Sequence, residues 1–308
     1  MNKAAPEPGR EIPWTIGAVE RDTGIAKDTL RVWERRYRFP VPDRDAHGER
    51  LYSAEQVEKL RALKRLIDRG HRPGRIMACS LEELLALSRT AAAPAQPENA
   101  DLEAILELLA AHRLEELRQA LGQRLLREGL AGFCEHTVAT LNRRIGEAWM
   151  EGRIQVHEEH LYTETIQRLL RQSLAATAQP GREPRVLLTT LPGEEHGLGL
   201  LMAEVMFAVE GASCVGLGTQ TPVWDIVRAA QKDRADVVAL SFSAGYSPER
   251  AAAGLAELRA QLPAGVELWV GGDNPALARR RLEGVVAVRE LGAIATALAR
   301  WRGEHGAA

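Results

Sequence analysis

From Arg185 onward, five short apolar runs, RVLLTT, SCVGLG, ADVVALSFS, VELWVGG and VVAVRE, alternate with segments of helical period. Strands buried on both faces read as near-continuous apolar runs, and parallel neighbours need a crossover, usually a helix. The alternation therefore predicts a doubly wound, Rossmann-like parallel sheet over residues 183–305. Ligands of such sheets bind outside the carboxyl ends of the strands. The loop LPGEEHGLGL, Leu191–Leu200, follows the first of these runs and precedes the helical LLMAEVMFAV. It sets His196 among glutamates and glycines at a strand end.

Upstream the period is different. LEAILELLAAH, LEELRQALGQRLLREG, GFCEHTVATLNRRIGEAWMEG and VHEEHLYTETIQRLLRQSLAAT are amphipathic and closely spaced, which predicts a four-helix bundle over residues 101–178. AQPGREP, residues 178–184, separates bundle from sheet. SRTAAAPAQPENA, Ser88–Ala100, loses periodicity and gains Pro, Ala and polar residues, so residues 89–100 read as a linker. Residues 12–88 form a third, basic segment. The fold class is thus multidomain, α and α/β.

A net charge of -2 over 308 residues conceals this asymmetry: Arg and Lys crowd residues 21–75, and the middle of the chain is rich in glutamate. For nucleic acid the local basic face counts, not the sum. No apolar run is long enough for a membrane span, and MNKAAPEPGREIPW lacks the apolar core of a secretory signal, so the expected location is cytoplasmic. Cys79, Cys134 and Cys214 are scattered and without metal-ligand spacing; they are expected as small buried hydrophobes.

Within the basic segment, IGAVERDTGIAKDTLRVWERRY reads as a helix, a turn at Thr23-Gly24 and a second helix from Lys27 to Tyr37. That is helix-turn-helix spacing. FPVPDRDAHGERLYS breaks helix at Pro40 and Pro42, turns at His47-Gly48 and presents Arg44 and Arg50 as a wing would. Ser53-Ala-Glu-Gln56 has the form of a capping box for the next helix. Trp33, Tyr37 and Phe39 are read individually as core.

RVWERRYRFPVPDR followed by GERLYS resembles the MerR family of winged helix-turn-helix regulators. By that resemblance the DNA-contacting positions are Lys27, Thr29, Arg31, Arg35, Arg36, Tyr37 and Arg50. Arginine can read guanine bidentately, although on a wing it more often touches phosphate alone. The competing reading is a solvated basic helix.

In the last segment Glu194-x-His196-x-x-Gly199 is followed, after 41 residues, by Ser241-Phe-Ser243, and after a further 27 by Gly271-Gly272. This set resembles the cobalamin-binding signature of the methionine-synthase and mutase type, with Ser243 where leucine is usual. A lone histidine here would be read as capping the next helix; the two downstream spacings favour a ligand. Cobalt accepts an imidazole nitrogen, a carboxylate such as Glu194 orients ligating histidines, and glycines at 199, 271 and 272 let backbone pass close to a bulky ligand. Ser241 is expected at the nucleotide tail.

In the bundle, AWMEGRIQVHEEH gathers Trp149, Val156, Glu159 and His160 around a helix break at Gly152. With the head and the cobalamin signature, this pattern resembles the CarH and LitR family of cobalamin-dependent photoreceptor repressors. The resemblance implies adenosylcobalamin as cofactor, with Trp149, Val156 and Glu159 around the adenosyl group. It further implies His196 as lower axial cobalt ligand and His160 as upper ligand after light. Its partners would be operator DNA and further copies of itself, a tetramer in the dark, with no membrane association and no enzymatic activity. His157 and His160 are also three apart, as metal ligands on one helix would be, but no second pair is evident on a facing helix. Two rivals stand beside this reading. A methyltransferase or mutase subunit carries the same module but needs a substrate domain, usually a barrel of about 250 residues. The other is a repressor of the same architecture that has lost cobalamin dependence or senses a different small ligand.

Overall fold

The computed structural model describes residues 13–68, 71–89, 98–150, 152–177, 182–274 and 283–305. Most of the expected linker, part of the AQPGREP punctuation and the amino-terminal twelve residues lie outside them. The chain divides into two compact units, residues 1–95 with 146–155, and residues 96–145 with 156–308.

The first unit begins with β1 (Trp14–Thr15), α1 (Ile16–Thr23) and α2 (Lys27–Tyr37). Thr15 caps α1 by accepting from Ala18 N, and Gly24, at φ 67°, ends it in the left-handed conformation that a glycine adopts without strain. A hairpin of β2 (Asp43–Arg44) and β3 (Arg50–Tyr52) follows, and the three strands form an antiparallel sheet in the order β1-β3-β2. Asp45 shapes the tip, its Oδ1 accepting from His47 N at 2.9 Å and Glu49 N at 2.8 Å. Then come α3 (Ala54–Asp68), α4 (Pro73–Ile76) and α5 (Leu81–Arg89). Leu30, Trp33, Tyr52, Leu60 and Leu63 are buried in one core, with Tyr37 and Phe39 packed against it. Trp33 is therefore core, as its type suggests, while Tyr37 and Phe39 are half-buried at its margin.

The capping box is half realised. Ser53 Oγ accepts from Gln56 N at 3.2 Å, but the Gln56 amide turns to Val41, accepting from its N at 3.0 Å and donating to its O at 2.8 Å. An extended backbone offers that amide both a donor and an acceptor, which the cap amide does not.

In the second unit, α6 (Glu98–Ala110) is followed by α7 (Leu114–Gly132), a π-helical turn (Phe133–Val138), α8 (Ala139–Met150) and α9 (Val156–Thr177). Gly129, at φ 70° and ψ 170°, breaks α7 near its end, and the π-helical turn leads directly into α8, so four helical runs result as the periodicity predicts. The last turn of α8 groups with the first unit. The α/β layer then runs β4 (Arg182–Thr189), α10 (Leu198–Val209), β5 (Ala212–Gly218), α11 (Val223–Lys232), β6 (Val237–Phe242), α12 (Pro248–Gln261), β7 (Glu267–Gly272), β8 (Val285–Ala287) and α13 (Ala293–His305). All pairings in this sheet are parallel and the strand order is β5-β4-β6-β7-β8. The order reverses between β4 and β6, so the carboxyl ends of these two strands flank the crevice where such sheets bind ligands. α10 is apolar nearly all round and buries six side chains from Leu200 to Phe207, as a helix enclosed on several sides must. Of the three cysteines, all free, only Cys134 is buried; Cys79 and Cys214 are half-buried, which corrects the expectation for those two. Cys79 packs at the margin of the first unit's core.

Candidate functional site

The loop after β4 carries His196 into solvent, its side chain 75% exposed, while Glu194 two residues earlier is 1% exposed. Glu194 Oε1 accepts from His196 N at 3.1 Å and lies 2.7 Å from His196 Nδ1; Oε2 accepts from Ser243 N and Ser243 Oγ, both at 2.8 Å. Burial pushes the Glu194 carboxyl up, but hydrogen bonds from the Ser243 and His196 backbone and side chains outweigh it and leave it below its ordinary value. An ionised carboxylate only accepts, so the proton on that side belongs to Nδ1. With the proton on Nδ1, the neutral ring leaves its lone pair on Nε2, the form a metal requires.

Several residues without an evident sequence motif hold this loop in place. Thr190 Oγ1 donates to Glu194 O at 2.7 Å and accepts from Gln220 N at 2.8 Å. Asn274, also buried, donates to Ser243 O at 3.1 Å and Tyr246 O at 2.7 Å, pinning the loop after β6. Polar residues at the very ends of apolar strands are the available signal, and both positions carry it.

Beside the loop lies a cleft of about 930 Å³, formed by the π-helical turn and α8 on one side and by α10 and the ends of β6 and β7 on the other. Gly199, Ser241, Gly271 and Gly272 line it together with Phe207 and Trp269. Its volume suits a sizeable organic ligand. The glycines serve the protein's own backbone first. A Cβ on Gly272, at φ 105°, would stand 2.1 Å from Phe242 O, and one on Gly271 3.0 Å from Val288 O. On Gly199 it would meet Ser241 Oγ at 3.1 Å. At these three positions glycine lets strand ends and α10 approach one another beside the cleft.

The structure brings together Glu194, His196 and Ser243 by hydrogen bonds, and Gly199, Ser241, Gly271 and Gly272 around the cleft. Val156, Glu159 and His160 occupy the first turns of α9 and are not part of the cleft lining. Glu159 accepts from Thr163 Oγ1 at 2.9 Å and lies 3.7 Å from His160 Nε2, whose side chain is 72% exposed. Trp149 falls in the first unit, where the Arg65 guanidinium sits 5.1 Å from its ring centre and donates to its carbonyl.

On the head, α2 exposes Arg31, Arg35 and Arg36 along its length. Arg31 pairs with Asp28 at 2.8 Å, Lys27 with Glu20 at 3.1 Å, and Arg36 lies over the Tyr37 ring at 5.3 Å. Arg50 differs: its Nε donates to Glu34 Oε2 at 2.8 Å, tying β3 to α2 with both side chains about three-quarters covered. Arg50 fixes the angle between wing and helix, whereas Arg44, bonded to Gly48 O at 2.9 Å, sits on the exposed hairpin.

Comparison with known proteins assigns each part. Residues 14–78 match the MerR HTH family regulatory protein model, and residues 101–172 and 184–299 match two B12 binding domain models. The chain is 32% identical over 268 residues to the HTH-type transcriptional repressor CarH of Myxococcus xanthus, covering 85% of this chain and 89% of the relative. It is 34% identical over 251 residues to the HTH-type transcriptional repressor CarA of the same organism, covering 80% and 83%. The chain is similar in fold to a Methanosarcina barkeri monomethylamine corrinoid protein, TM-score 0.51 at 14% identity, covering 64% of this chain and 96% of that one. Fold and site together define a MerR-type transcriptional regulator with a B12-binding module. The chain belongs to the CarH/LitR family.

Proposed function

We propose that this protein is a light-responsive, non-enzymatic repressor that binds operator DNA in the dark as an adenosylcobalamin-loaded oligomer and releases it on illumination. The observation that carries the reading is the His196 imidazole, exposed and held by a buried carboxylate in the metal-binding tautomer, at the crevice of a sheet on the same chain as a MerR-type head. Cobalamin supplies a cobalt that takes axial imidazole and, in its adenosyl form, a cobalt–carbon bond that visible light cleaves.

The residues present fit that group. His196 would hold the cobalt through Nε2, Glu194 would keep the ring oriented, and the cleft lined by Gly199 and Ser241 would accept the nucleotide tail. Trp269, buried beneath the cleft, donates from Nε1 to Glu267 at 2.8 Å and stands 5.9 Å, centre to centre, from the Phe207 ring. We assign Val156 and Glu159 to the adenosyl side, and His160 to the cobalt after light. On the head we assign Lys27, Thr29, Arg31, Arg35, Arg36, Tyr37 and Arg50 to the DNA face, Arg50 also tying β3 to α2 through Glu34.

The test is spectroscopic. Purified protein mixed with adenosylcobalamin in darkness should retain it through gel filtration, and His196→Ala should lose it or show the spectrum of a cobalamin without axial imidazole. Illumination should change the visible spectrum and abolish the operator gel shift. Wild-type protein that retains no cobalamin, or a gel shift indifferent to light with cobalamin bound, would overturn the reading.

A further inference from the structure

Where the turn between α6 and α7 meets the start of α9, two imidazoles and a carboxylate converge. His112 Nε2 lies 3.3 Å from His157 Nε2 and 3.4 Å from Glu158 Oε1, and the three ligand atoms all fall within 4.8 Å of one another. The His112 and His157 rings are stacked, 5.2 Å between centres, while Glu158 is buried. We propose that His112, His157 and Glu158 form a site for a divalent transition-metal ion of the zinc class, separate from the cobalamin crevice.

The distances carry the proposal. Ligand atoms at about 2.0–2.1 Å from a tetrahedral zinc stand about 3.3–3.4 Å apart. Both separations from His112 match that edge. Protons alone serve the arrangement less well: a neutral imidazole has one N–H, so His112 Nε2 cannot accept from His157 and donate to Glu158 at once, whereas a cation satisfies all three ligand atoms together. Two histidines and a glutamate leave a fourth position for water or another ligand. His112 is also held at φ 53°, a conformation histidine adopts more readily than most residues, and this backbone brings its ring to α9. Sequence spacing alone would pair His157 with His160 on one helix; the fold pairs His157 with His112 across a turn instead. The ion would clamp the first turn of α9 just before Glu159 and His160.

Untagged, cobalamin-free full-length protein, stripped with a chelator and titrated with Zn²⁺, should bind one equivalent per chain by metal analysis after gel filtration. Co²⁺ in its place should give the visible absorption of a tetrahedral site. His112→Gln with His157→Gln should weaken binding on the order of 100-fold, and Glu158→Gln should weaken it as well. Circular dichroism and thermal midpoints in chelator should match wild type, which separates lost ligation from lost folding. A second group, Glu267, Glu304 and His305, has similar composition, so His305→Gln serves as the control and should leave binding intact. No stoichiometric zinc in wild type, zinc retained by the double variant, or zinc lost in His305→Gln would each overturn the proposal.

Discussion

Glu194 is the residue on which the second unit's site turns, because it joins the loop after β4 to the loop after β6 while orienting His196. A carboxylate this buried is tolerated only when its oxygens are filled, and here four donors fill them. Ser243→Ala removes one, so cobalamin should bind roughly tenfold more weakly in a visible-absorption titration; unchanged affinity would mean that the hydroxyl adds nothing to the backbone donor. At Gly272 the constraint is steric. With a Cβ 2.1 Å from Phe242 O and φ at 105°, Gly272→Ala should cost roughly 3 kcal/mol in urea denaturation. A loss under about 0.5 kcal/mol would show that the strand ends relax freely. The spacing of Glu194, His196, Gly199, Ser241 and the glycine pair is legible in the sequence, because each type has a chemical reason to stand there. The bond from Ser243 to Glu194 is not: its partners are 49 residues apart, and only the strand order reveals that their loops adjoin.

At the scale of elements, hydrophobic period locates the bundle helices and the sheet strands, since burial on one face or two leaves a different rhythm for each. It does not show the π-helical turn at Phe133–Val138, where one extra residue per turn leaves the apolar pattern nearly intact. Nor does it show that Arg50 is engaged by Glu34 across the first unit. The basic surface of α2 leads to a salt-dependence prediction. Removing one phosphate contact should reduce the slope of log affinity against log salt by about 1. Replacing Arg35 and Arg36 together with alanine should therefore flatten that slope by about 2 and leave cobalamin uptake unchanged. An unaltered slope would place the contact surface elsewhere. Arg50→Ala should behave differently. Its ion pair is partly screened and worth at most about 1 kcal/mol of stability, so DNA affinity should fall through a misplaced wing while the thermal midpoint moves little.

For the whole molecule the question is whether the B12-binding module controls the MerR-type head. A single winged head has a small footprint, but heads linked in one assembly bind a multipartite operator with an affinity raised by effective concentration. A ligand can drive such assembly only by binding the assembled state better than the separate chain. Packed interfaces tend to switch between discrete arrangements, so a change in the ligand's bonding is able to act as a switch and not as a gradual adjustment. We therefore expect the mass measured by light scattering in darkness to rise when adenosylcobalamin is added and to fall again on illumination. His160→Ala should keep the dark assembly and its DNA shift. After light, however, its spectrum should lack the bis-imidazole signature and the cobalamin should wash out faster than from wild type. If the illuminated variant keeps that signature, His160 is not the upper ligand. If the dark mass stays constant while absorption proves the cofactor bound, assembly is not under ligand control and the switch must act within a single chain.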